Sequence, residues 1–202
     1  MPDYSLETAL KTNGYKHICG IDEAGRGPLA GPVCAAAVVL PMGLEIEGLN
    51  DSKKLTEKKR EALFDKIVEQ ALDYSIAFAT VAEIEEYNIL GATFLAMNRA
   101  VNGLKTPADY ALVDGNKIPK GLEIPAEAVV KGDSKSCSIS AASILAKVSR
   151  DRLMCEYDAL YPQYGFLNHK GYGTAAHYKA LIEYGLSPVH RPSFLKNLDE
   201  HR

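Results

Sequence analysis

Apolar residues fall first into five short runs and only later into helical spacing. Residues 17–21, 33–40, 74–80, 110–113 and 126–130 are apolar stretches of strand length, and each predicts a β-strand. The first two, His17-Ile18-Cys19-Gly20-Ile21 and Val33-Cys34-Ala35-Ala36-Ala37-Val38-Val39-Leu40, read as buried strands. Thr56 predicts a helix N-cap, with Glu57 where the helix dipole favours an anion. Leu63, Phe64, Ile67, Val68, Ala71 and Leu72 then share a core-facing stripe. A second helix covers residues 89–101, rich in Ala, Leu and Met, and stops at Gly103; a third covers residues 140–157. Tyr161-Pro162, Gly165, Gly171 and Gly173 punctuate a loop before a short helix over residues 174–183, and Pro188 and Pro192 break the tail. No internal repeat or low-complexity linker divides the chain. Strands lead and helices follow, which predicts an α/β fold: a mixed sheet flanked by helices. Residues 1–202 are expected to form a single domain, with 160–202 as a C-terminal helical extension packed on it.

Composition narrows the class. A chain of 202 residues, 47% hydrophobic and 24% charged, suits a globular protein with a full core. No apolar stretch approaches the ~18 residues needed to span a bilayer, and Met1 to Lys16 lacks the apolar centre of a signal peptide, so a cytoplasmic protein is expected. Cys19, Cys34, Cys137 and Cys155 form no CxxC pair and read as reduced core residues, not disulfides or zinc ligands. The net charge of −3 argues against binding nucleic acid by bulk electrostatics alone. Basic residues nevertheless cluster, Lys53, Lys54, Lys58, Lys59 and Arg60 in one segment and Lys131, Lys135, Lys147 and Arg150 in another, so basic strips could face phosphates. Lys58, Lys59 and Arg60 fit better as the solvated face of their helix.

Candidate chemistry gathers where the strands end. Ile21-Asp22-Glu23-Ala24-Gly25-Arg26-Gly27-Pro28 places two carboxylates after a buried run and before a glycine-flanked arginine. Charged pairs are usually solvated surface, but this pair lies between two buried runs beside glycines that let backbone approach a ligand closely. Neighbours on a strand point to opposite faces, so Asp22 and Glu23 can serve one centre only if the chain bends, which Gly25 and Gly27 allow, or else they serve two. Asp114 repeats the pattern after Tyr110-Ala111-Leu112-Val113 and before Gly115, and Asp133 follows Ala128-Val129-Val130-Lys131-Gly132. A lone strand-end Asp is often a turn residue or helix cap, and Ser134 and Ser138 compete for the cap near Asp133. As a set, the four acids indicate phosphate chemistry. Carboxylates without His or Cys select hard divalent ions such as Mg²⁺ or Mn²⁺, and the histidines, His17, His169, His177, His190 and His201, show no ligand-spaced cluster. Two such ions roughly 4 Å apart can bind one phosphodiester, one generating hydroxide and the other stabilising the leaving oxygen.

The segments 21–32, Asn50-Asp51-Ser52-Lys53-Lys54-Leu55, Val113-Asp114-Gly115, Lys131-Gly132-Asp133, 140–148, His169-Lys170-Gly171-Tyr172 and His190-Arg191-Pro192-Ser193-Phe194 together resemble bacterial type 2 ribonuclease H, the ribonuclease HII family. Type 3 enzymes lack the arginine between the glycines, so Gly25-Arg26-Gly27 favours type 2. The resemblance implies a ribonuclease H-like five-stranded mixed sheet flanked by helices, with a C-terminal helical region. It implies an endonuclease that hydrolyses the RNA strand of RNA–DNA hybrids and nicks 5′ of single ribonucleotides embedded in duplex DNA, leaving 5′-phosphate and 3′-hydroxyl ends. Such an enzyme serves ribonucleotide excision repair and is expected to be a monomer using two Mg²⁺ or Mn²⁺ ions. On this resemblance Asp22, Glu23, Asp114 and Asp133 are catalytic and metal-binding, with Asp22 bridging the ions. Backbone of Gly25, Arg26 and Gly27 contacts the ribonucleotide 2′-hydroxyl, and Tyr172 recognises the step from ribonucleotide to deoxyribonucleotide. Backbone contacts can tell RNA from DNA without reading a base, and a tyrosine ring can stack on sugar or base. Lys53, Lys54 and Lys147 are candidate phosphate contacts.

Two other classes share part of this pattern. A junction-resolving or transposase-like nuclease would have strand-end acids but no reason for the Gly-Arg-Gly loop paired with Tyr172. A non-catalytic nucleic-acid binding module would keep the basic segments but not four acids, which repel phosphate unless metal neutralises them.

Overall fold

The computed structural model describes residues 1–50, 52 and 55–198. Five strands, β1 (Ile18–Ala24), β2 (Val33–Val39), β3 (Asp73–Ala79), β4 (Tyr110–Asp114) and β5 (Ala126–Val129), form one sheet in the order β3-β2-β1-β4-β5. β1, β2 and β3 pair antiparallel, while β1, β4 and β5 pair parallel, so the sheet is mixed. All five lie where the apolar runs predict. β1, however, runs past its apolar stretch through Asp22 and Glu23, because β2 continues to pair with it, Glu23 opposite Ala35 and Ala24 opposite Cys34.

Six helices accompany the sheet among the described residues: α1 (Ser5–Thr12), α2 (Glu57–Gln70), α3 (Val81–Asn102), α4 (Cys137–Leu160), α5 (Phe166–His169) and α6 (Ala175–Tyr184). Thr56 caps α2, its side chain accepting from the Lys59 N–H. α3 starts earlier than predicted because Thr80 and Glu83 form a capping box at its start. Asn88 then breaks the helix at φ 58°, and its Oδ1 caps Leu90 and Gly91, which is why the helical periodicity begins only at residue 89. α4 likewise starts earlier, at Cys137, with the Ser136 hydroxyl as its cap. α1 was not predicted. Long-range contacts hold it: Glu7 is buried and accepts from the Ser136 hydroxyl at 2.6 Å and the Ser138 N–H at 3.1 Å.

β2 shows how the layers close. Val33, Ala35, Ala37 and Val39 pack against Ala92, Ala96, Met97 and Ala100 of α3, and Cys34, Ala36 and Val38 face Leu63 and Ile67 of α2 and Ala141, Ala142, Ile144 and Leu145 of α4. The many alanines let helices lie close on both faces, and the ends of the central strands β1 and β4 are left to carry the site. Cys19, Cys34 and Cys137 are buried and all four cysteines are free. The helical C-terminal region packs Tyr164, Phe166, Leu181 and Leu195 against Leu29, Ala30 and Met154, with Phe194 and Leu198 at its margin. No helix among the described residues is long and apolar enough to cross a membrane.

Candidate active site

Strand alternation separates the two leading acids. Cys19 and Ile21 lie in the core against α3, so Glu23 continues toward that face and Asp22 toward α4. The expected bend comes after the pair, at Gly25, not between them. Two adjoining clefts result. One, of about 240 Å³, is lined by Glu23, Arg26, Asp114, Asn116 and the α3 residues Phe94 and Met97. The other, of about 220 Å³, is lined by Asp22, Glu23, Gly25, Arg26, Gly27, Ser52, Ser143, Lys147 and Tyr172. Glu23 and Arg26 border both, and Arg26 Nη1 donates to Glu23 Oε1 at 3.4 Å.

Parallel pairing of β1 with β4, Ile21 opposite Val113, brings Asp114 level with Asp22. Asp22 is buried and accepts from the Glu23 N–H at 2.7 Å. Burial first, then the charges of Glu23 and Asp114, push its carboxyl well above the usual carboxylate range, while a hydrogen bond from Ser143 and that N–H act the other way. Asp114 Oδ1 accepts from the N–H groups of Gly132 at 2.6 Å and Asp133 at 3.4 Å, which ties the β4 acid to the turn bearing the fourth. Asp133 is buried in the 3₁₀ turn Gly132–Ser134, past the end of β5 and just ahead of α4. The donors suit a hard divalent cation in kind: all are carboxylate oxygens, and the mutual repulsion at Asp22 is what a cation would offset. Among the described residues no three His, Cys, Asp or Glu side chains close to metal-gripping distance, so the acids converge by element and charge without forming a finished cage.

The loop after the acids has its own framework. Gly25 has φ +97°, and a Cβ there would lie 2.0 Å from Arg150 Nε. Tyr172 is partly exposed across the second cleft, with Lys147 Nζ 5.9 Å and the Arg150 guanidinium 6.0 Å from its ring centre. Lys147 is held by Asp151 at 2.7 Å, one helical turn along α4. Arg60 lies 3.9 Å from Asp151 and donates to the Ser52 and Leu55 carbonyls at 3.1 and 2.6 Å, so it braces a loop instead of joining the solvated face expected for it. Lys53 and Lys54 lie outside the described residues. Arg150, grouped above with a basic strip, is buried; its guanidinium donates to the carbonyls of Pro32, Lys170 and Ala30 at 2.9–3.1 Å, so it faces backbone and not phosphate. Ser143 and Arg150 are not legible as site residues from local sequence because their partners, Ser52 for one and the Pro32 and Ala30 carbonyls for the other, are some 90 to 120 residues away; Asp151 and Arg60 join the site only through the packing of α2 on α4.

A mixed sheet in this order, with acids at the ends of adjacent central strands, defines an enzyme of the ribonuclease H class. The chain belongs to the ribonuclease HII family, whose profile matches residues 19–197. It is 60% identical over 185 residues to ribonuclease HII of Clostridioides difficile, covering 92% of this chain and 72% of that one. To ribonuclease HII of Caldicellulosiruptor saccharolyticus it is 54% identical over 195 residues, covering 96% and 95%. The crystal structure of ribonuclease H2 from Pyrococcus horikoshii superposes with a TM-score of 0.76 at 29% identity, covering 92% of this chain and 98% of that one. Family members cleave RNA in RNA–DNA hybrids and depend on divalent metal.

Proposed function

We propose that this enzyme, besides cutting the RNA of hybrids, nicks duplex DNA 5′ of a single embedded ribonucleotide, leaving 3′-hydroxyl and 5′-phosphate ends. The observation that carries this reading is the second cleft, in which Asp22 and Glu23 share one wall system with Gly25-Arg26-Gly27 and Tyr172. A site for long hybrid alone needs acids and basic contacts; a loop of close-approach backbone opposite an exposed tyrosine is suited to one sugar hydroxyl and the step beside it. Asp22, Glu23, Asp114 and Asp133 would hold two divalent ions, Mg²⁺ or Mn²⁺. When bound, these would activate the attacking water and stabilise the leaving 3′-oxygen. Asp22, buried beside Glu23 and Asp114, would be the shared ligand, since a cation there would offset the charges that crowd it. Glu23 lies between the clefts and also holds Arg26, so cleavage and recognition share one residue pair. Lys147 would meet a backbone phosphate, a reading supported by its lying beside Tyr172 and being held by Asp151, and Lys53 and Lys54 are proposed to do the same.

The test uses a duplex carrying one ribonucleotide, end-labelled on that strand, with Mg²⁺ and then with chelator. A single chelator-sensitive nick on the 5′ side with a 3′-hydroxyl is expected. Cutting confined to long hybrids would refute the single-ribonucleotide reading.

A further inference from the structure

The C-terminal segment 187–191 crosses behind both halves of the recognition surface without lining either cleft. Its backbone pairs with the stretch after Gly27: the Gly31 N–H donates to the Val189 carbonyl at 2.8 Å, and the Arg191 N–H donates to the Leu29 carbonyl at 2.9 Å. The Leu29 N–H in turn donates to the Gly171 carbonyl at 2.8 Å, next to Tyr172. Arg191 is fully buried, and its guanidinium donates to the carbonyls of Gly25 at 2.6 Å, Gly31 at 2.8 Å and Arg26 at 3.0 Å. These bonds fix the peptide planes that follow Gly25 and Arg26, and with them the directions of the Arg26 and Gly27 N–H groups.

The other half is held by a directional chain through two buried imidazoles. The Ser187 N–H donates to His190 Nδ1 at 2.9 Å, so the neutral His190 ring carries its proton on Nε2. The Tyr172 carbonyl can only accept, so His177, 2.9 Å away, carries its proton on Nδ1. That leaves His177 Nε2 bare, and it accepts from His190 Nε2 at 3.0 Å. One tautomer of each ring satisfies every bond, and the chain ends on the backbone of Tyr172. Phe166 packs edge-on against His177, and His169 stacks on it at 4.4 Å, so the ring is fixed on its faces as well.

From this arrangement we infer that His177, His190 and Arg191 are positioning residues for ribonucleotide recognition, the histidine pair setting Tyr172 and Arg191 setting the loop 25–27. The inference rests on the role proposed above for Tyr172 and the loop. Burial supports it by pushing both imidazoles down to about 4, which keeps the pair neutral in the physiological range.

A double-mutant cycle on single-turnover cleavage at one embedded ribonucleotide tests it. His177→Leu keeps apolar volume but cuts the chain, whereas His177→Asn retains a donor near the Nδ1 position. His177→Leu is expected to slow cleavage by about tenfold or more, since small misplacement of a recognition group has effects of that order, and His177→Asn to recover much of the loss. In a Tyr172→Ala background His177→Leu should change the rate by less than about twofold, because residues acting as one unit are non-additive. Arg191→Lys keeps the charge without the fork, and should slow cleavage while leaving duplex affinity within about threefold. Fully multiplicative losses, equal losses in the Asn and Leu variants, or a parallel fall in affinity for Arg191→Lys overturn the inference. If Tyr172→Ala alone leaves the rate unchanged, the proposed role of Tyr172 fails instead. Should His177→Leu lose its cooperative unfolding transition, His190→Gln replaces it in the cycle under the same criteria.

Discussion

Gly25 joins the strand-end acids Asp22 and Glu23 to the loop proposed to read the ribonucleotide, and replacing it with alanine gives a cost that the structure lets one divide. Its φ of +97° costs an L-residue about 1–2 kcal/mol. The added Cβ would also lie 2.0 Å from Arg150 Nε and 2.3 Å from Cδ. Arg150 is poorly placed to yield, since three of its nitrogens hold carbonyls, and overpacking of this kind costs about 1–3 kcal/mol. Gly14 is the internal control: its φ is +98°, and nothing lies within 4 Å of its Cβ position. Gly14→Ala therefore isolates the backbone cost, and Gly25→Ala adds the overlap. At about 2–4 °C per kcal/mol for a chain of this size, Gly25→Ala should melt about 2–12 °C below Gly14→Ala. A total cost of about 2–5 kcal/mol leaves the fold standing, so cleavage can be measured well below the melting point. There Gly25→Ala should lose at least tenfold in rate at a single ribonucleotide while Gly14→Ala loses none. Calorimetry and single-turnover kinetics on the pair decide it. Equal melting temperatures, or an unimpaired Gly25→Ala, would refute the claim that Arg150 and the loop are packed against each other as described.

Asp22→Asn should abolish nearly all Mg²⁺-dependent cleavage yet melt no lower than the parent, because it replaces a buried carboxyl whose charged form burial, Glu23 and Asp114 all disfavour; near-normal activity would exclude Asp22 from the reaction. Tyr172→Ala should lose cutting at a single ribonucleotide far more than duplex binding, measured by titration of uncut substrate, and equal losses would reduce Tyr172 to a binding contact. The folded histidine pair titrates at about 4 and unfolded histidine near 6.5. Between those values the unfolded chain binds more protons, so stability is lost as pH falls from 6.5 toward 4 and the contribution is intact above 6.5. Thermal melts across that window should show a drop that is smaller in His190→Gln; identical slopes would count against a buried neutral pair.

The five strands were legible because each is a short apolar run, and four helices were legible from periodicity and caps. Where β1 ends was not, since Asp22 and Glu23 are held in the strand by pairing with β2, a partner the local sequence does not reveal. α1 is similarly invisible: its anchor is Glu7 reaching Ser136 and Ser138, more than a hundred residues away. The acids could be picked out because each follows an apolar run beside a glycine. Their division between two clefts could not, because it depends on which helices cover each face of β1. Arg150 reads as one more basic residue in a basic stretch, and only the carbonyls it gathers make it internal. Arg191 falls in the segment His190-Arg191-Pro192-Ser193-Phe194 that carries part of the family resemblance, but its partners Gly31, Arg26 and Gly25 lie 160 or more residues away, so the local pattern does not reveal what it holds.

The central proposal is that the second cleft reads a single 2′-hydroxyl while the acids divided between the two clefts cut beside it. The most direct measurement is cleavage of two duplexes identical but for that one hydroxyl, with Mg²⁺ present. The account predicts a nick 5′ of the ribonucleotide in one duplex and none in the other. Equal cutting of both, or of neither, would contradict it.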